Sequence, residues 1–225
     1  MIKNLKITAK TNKNMVSYSV MANFSSNTII QKCINRGTTL MFNKYNVCMY
    51  LCHVNKTYQG RLASASDIYD ILVNWGLARL GKNACPKNSF QSSIKTVSTA
   101  LNTLQKFSLT DFLNSSKLPI IQQSINDIFN NLKLANTKNI SVYYSKALHL
   151  FLPNLIIPMD NKYTLKYMHK SSFDLNTLME YHIQMANLYC SYLPLFSRLQ
   201  VSITTPNCSY TYPITKLLDN MVIGY

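Results

Sequence analysis

The chain has 225 residues, with 23 lysines and arginines against 8 aspartates and glutamates, and a formal net charge of +15. With 47% apolar residues it can bury a substantial core, which excludes wholesale disorder. Only 14% of residues are charged, against roughly 25% in ordinary soluble domains, so the basicity comes from missing acids. No run of about 18 apolar residues occurs, and no membrane-spanning helix is expected. The first twenty residues lack the continuous apolar stretch of a secretory signal. Six scattered cysteines in a chain of this length point to reduced thiols and a cytoplasmic, nuclear or nucleoid setting.

Taken in chain order, the charge divides unevenly. Residues 1–66 carry nine basic groups and no acid, whereas fourteen bases meet eight acids from Asp67 onward. The first part also has only short alternating pieces, Val16–Val20 and Thr39–Phe42, which predict brief strands at most. We therefore divide the chain into a basic segment, 1–65, irregular or short-stranded, and a helical domain, 66–225. An acid-free, serine-containing leader also fits an organelle transit peptide, although such leaders favour arginine and this one holds two.

From Ser66 the spacing is helical, and the fold class is mainly α. Ser66-Asp67 can cap a helix with Ile68, Ile71, Leu72, Trp75 and Leu80 on its inner face. Asn88-Ser89 can open a second, whose Phe90, Ile94, Val97, Leu101 and Leu104 form one stripe over four turns. Pro119 suits the first turn of a third, with Ile121, Ile125, Ile128 and Leu132 inward. Asp174 opens a long helix through Leu178, His182, Met185 and Tyr189 that stops before Pro194. A last helix follows Pro213.

The segment from Ile140 to Tyr167 holds the candidate chemistry. A short helix beginning near Ser145 is ended by Pro153, and Asp160, after Pro158, caps the next helix by accepting from its free N–H groups. Lys146 and His149 are three positions apart and share a helix face. Lys162, Lys166 and Lys170 recur at spacing four, a basic stripe suited to phosphates. Each has an ordinary structural alternative: a paired or solvated lysine, a histidine bonded to backbone, a solvated face.

A helix bearing Lys146, then Ile157-Pro158-Met159-Asp160-Asn161-Lys162, resembles the second half of the helix-hairpin-helix DNA glycosylase superfamily, and Trp75-Gly76-Leu77-x-Arg79 fits the start of the same domain. The longer string from Ser145-Lys146 through Leu148-His149, Pro153 and Pro158 to Asp160 also resembles an uncharacterised prokaryotic family. The resemblance covers about residues 66–170. It implies a helical DNA-binding domain linked to DNA repair. It implies Lys146 as the amine nucleophile of a glycosylase or abasic-site lyase, and Asp160 as its orienting carboxylate with His149 as an additional candidate. Beside the resemblance, Lys138 and the basic stripe of Lys162, Lys166 and Lys170 are the expected nucleic-acid contacts. The likeness is degenerate: the hairpin Asn136–Ile140 has no glycine, and Lys146 and Asp160 are fourteen positions apart, fewer than the family shows.

Three functional classes follow: a nucleic-acid-binding protein whose partner is DNA, a base-excision enzyme, and a helical protein-interaction module. No metal or cofactor is expected. Cys48-x-x-x-Cys52-His53, even with His169 and His182, lacks the second cysteine pair of a structural zinc site, and nucleotide-binding loops and hydrolase elbows are absent from the sequence.

Overall fold

The computed structural model describes residues 2–11, 14–23, 29–44, 64–136, 141–205 and 208–225. The chain is mainly helical and carries one antiparallel sheet in the order β1-β2-β3-β4. Strands β1 (Ile2–Thr11) and β2 (Asn14–Asn23) pair along ten residues each, longer than the brief strands expected from alternation. Strands β3 (Gln200–Thr205) and β4 (Cys208–Thr211) come from the region expected to be helical throughout. Strand β2 meets β3 with Tyr18 opposite Ile203 and Val20 opposite Val201.

Helix α1 (Ile29–Lys44) contains Thr39–Phe42, where the alternation predicts a brief strand at most. Tertiary packing overrides local preference there. Thr38 and Thr39 turn their hydroxyls onto the carbonyls of Ile34 and Asn35, at 2.7 and 2.9 Å, as helical threonines do. Helix α1 lies along the last helix, α10 (Ile214–Gly224). The two backbones approach so closely that a Cβ on Gly37 would strike the carbonyl of Asn220, and one on Gly224 that of Cys33. The Asn220 side-chain amide donates to Thr38 Oγ1 at 3.0 Å inside this contact. Packing therefore crosses the expected boundary at residue 65, and Ile34 joins the same buried cluster as Leu217 and Leu218.

The central helices follow their caps and stripes. Helix α2 (Ala65–Asn74) is capped by Ser64, whose hydroxyl accepts from the Asp67 N–H, two positions before the expected Ser66. The four-turn stripe is two helices, α3 (Lys87–Thr96) and α4 (Ser98–Leu104), meeting at Val97. Phe90, Val97, Leu101 and Leu104 are nonetheless all buried. Helix α5 (Leu118–Asn131) has Pro119 in its first turn and buries Ile121, Ile125 and Ile128. Helix α6 (Ser141–Phe151) starts four residues earlier than expected and stops before Pro153. A short α7 (Thr164–Met168) precedes α8 (Leu175–Ser191), which Asp174 caps by accepting from the Thr177 N–H at 2.7 Å. That bond holds the Asp174 carboxyl below its ordinary range. The one-turn α9 (Leu193–Phe196) leads into β3. No described helix is long and apolar enough to cross a membrane.

Candidate functional site

The extended segment Ile156–Asp160 lies between α6 and α8, where its backbone polar groups need side-chain partners. Three residues supply them. The Ser145 hydroxyl on α6 accepts from the Met159 N–H at 3.0 Å. His149 Nδ1, also on α6, donates to the Ile156 carbonyl at 2.7 Å. His182 on α8 accepts the Ile157 N–H at Nε2, 2.8 Å away, while its Nδ1 donates to the Leu178 carbonyl. Both nitrogens of His182 are thus committed to the neutral ring, and full burial lowers its pKa to about 4. His182 is a backbone clamp rather than a metal ligand. His149 is likewise fully buried and its ring meets Trp75 edge-on at 6.3 Å, so it positions the segment.

The clamped segment delivers Asp160 to a turn of its own. Its Oδ1 accepts from the Lys162 N–H at 2.8 Å, and its backbone N–H donates to Thr164 Oγ1 at 2.9 Å. The capping role expected for Asp160 is thereby exerted on the turn at 161–163, one turn ahead of α7.

Lys146 and Asp160 line a common cleft with Trp75, Tyr163, and Asp219 and Ile223 from α10. The cleft encloses about 20 Å³, room for roughly one water. Lys146 lies in the middle of α6 rather than in a first turn, and is 8% exposed. Its ammonium donates to the Trp75 carbonyl at 3.3 Å and stands 5.3 Å from the centroid of the indole. A second ammonium, that of Lys216, lies 5.7 Å from the same ring and pairs with Asp219. Cation–π attraction on the order of 1–2 kcal/mol each offsets part of the cost of burying these charges. Burial pushes the Asp219 carboxyl up, Lys216 pulls it down, Asp160 pushes it up again and Lys146 opposes. Two lysines and two aspartates therefore meet around the Trp75 ring. Such an arrangement can orient a polar group, exchange a proton between amine and carboxyl, and present an amine to an electrophile.

Lys216 and Asp219 were missed from the sequence, although they are the only charged residues in the apolar run Ile214–Gly224. The other expected contacts are dispersed. Lys162 is exposed, with its ammonium 5.2 Å from the Tyr163 ring centroid. Lys166 is exposed on α7. Lys170 lies beyond α7, after His169 turns the backbone to φ 52°, and pairs with Glu180 at 3.1 Å. The stripe at spacing four is therefore no helix face, because α7 holds only five residues. Lys138, most of the glycine-free hairpin, and Cys48, Cys52 and His53 lie outside the described residues. No known protein family, curated protein or solved structure matches the chain, so the reading of the cleft rests on its own geometry.

Proposed function

We propose that this is a nucleic-acid-binding protein with a glycosylase-like helical domain, its contact surface centred on the Trp75 cleft. The observation that carries the reading is that Lys162 and Lys166 stand exposed on the same turn and helix that bring Asp160 and Tyr163 to the cleft. A phosphate backbone held by these lysines runs past the cleft mouth, and the chain's net charge of +15 adds long-range attraction. A second reading, a base-excision lyase, is favoured by one observation: Lys146 and Asp160 share the cleft. With the cleft opened beyond its room for one water, Lys146 as a free amine would then add to the C1′ aldehyde of a ring-opened abasic sugar and release water to leave a Schiff base.

A salt titration of duplex DNA binding tests the first reading. The logarithm of the affinity should fall linearly with that of salt, and Lys162→Ala with Lys166→Ala should reduce the slope by about 2. Absence of binding to duplex and single-stranded DNA alike, even at low ionic strength, would overturn it and leave the protein-interaction module. Borohydride trapping on abasic DNA in the same samples tests the second: an adduct lost in Lys146→Ala supports the lyase, and no adduct with the wild type refutes it.

A further inference from the structure

We infer that the pocket between the ends of α4 and α6 binds a small aromatic molecule, a single ring carrying one hydrogen-bonding group. This pocket shares no lining residue with the Trp75 cleft, and it does not rest on the nucleic-acid reading. Leu104 and Phe107 line it at and just beyond the end of α4, and Phe151, Leu152, Pro153 and Leu155 at the end of α6. It holds about 170 Å³, whereas well-packed interiors leave few voids larger than a water. An apolar cavity of about 150 Å³ stays dry and takes up benzene. The space therefore suits one ring.

Hydrogen bonds on both walls keep the space from closing by a small backbone shift. The Pro153 carbonyl accepts from the Thr215 hydroxyl of α10, and the Asn154 carbonyl accepts from the Leu109 N–H at 2.9 Å. The Leu155 and Ile156 N–H groups both donate to the Leu152 carbonyl, at 3.0 and 2.9 Å. Across the pocket, the Phe107 N–H donates to the Leu104 carbonyl at 3.1 Å. The lining then selects the ligand. Its inner residues are apolar, two of them aromatic, while Gln105 and Asn154 are its exposed members. Their side-chain amides can donate to or accept from one substituent at the rim. Apolar walls with a few placed polar groups are the usual make-up of a small-molecule site.

The test is fluorine NMR of para-fluorophenol and of fluorobenzene, each titrated with the full chain. The wild type should shift the para-fluorophenol resonance saturably, with a Kd of about 1 mM or tighter. Fluorobenzene should bind several-fold more weakly. Leu104→Phe, which fills the pocket, should weaken both probes by about tenfold or more. Gln105→Leu combined with Asn154→Leu changes only exposed side chains of the lining, and should abolish the preference for para-fluorophenol while fluorobenzene still binds. A shift that grows without saturating overturns the site. So does undiminished binding in folded Leu104→Phe, or a rim variant that keeps the wild-type preference.

Discussion

At the scale of single residues, the cleft depends on side chains that do not line it. His182 illustrates this. Its neutral ring accepts from Ile157 and donates to Leu178, and burial lowers its pKa from 6.5 to about 4. Above pH 6.5 both folded and unfolded chains hold the ring neutral. As pH falls toward 4 the unfolded chain takes up a proton that the folded ring refuses, so stability declines, by about 2–3 kcal/mol at pH 4.5. Urea unfolding at pH 7 and 4.5 should show this slope in the wild type and a flatter one in His182→Gln. Equal slopes would contradict it. Lys146 and Asp160 were legible because a lysine, a Pro-x-Asp turn and their order are local patterns. Lys216 and Asp219 were not, since an i,i+3 charge pair ordinarily marks a solvated helix face, and this one is enclosed by non-local neighbours, Trp75 beside Lys216 and Lys146 and Asp160 beside Asp219.

At the scale of elements, stripes and caps were the legible part. Asp174, Pro119 and the buried isoleucines of α5 stand where the sequence placed them. The stripe from Phe90 to Leu104 was read correctly for burial but not for continuity, because Val97 departs from helical geometry without any glycine or proline to announce it. Within α1, Thr39–Phe42 suggests at most a brief strand because that run suits a pleated sheet, and the helix's true signal is a non-local one, Gly37 against α10. Gly37→Ala should accordingly force these helices apart and cost about 3 kcal/mol, measured as a lower urea midpoint. A variant as stable as the wild type would show that the two backbones do not meet there.

At the scale of the whole molecule, the uneven charge does not keep the described part of the basic segment apart from the helical domain. Strand β2 is paired with β3, and α1 packs along α10, which carries Asp219 into the cleft. The acid-free segment is therefore part of what holds the site. A fragment of residues 64–225 should lose cooperative thermal unfolding by circular dichroism, since it leaves the Gly224 face of α10 uncovered and β3 without β2. A fragment that melts as sharply as the full chain would refute this. The composition foretold a basic protein, but no count of lysines locates the pairings that join its two ends.

Trp75 is the chain's single tryptophan, and it stands in the cleft wall with an ammonium group from α6 and another from α10 near its ring. Its emission is thus a native optical reporter of this one place, needing no label. Nearby charge tunes the colour of an indole, so movement of either lysine, or arrival of a ligand at the wall, is written directly into the protein's own fluorescence.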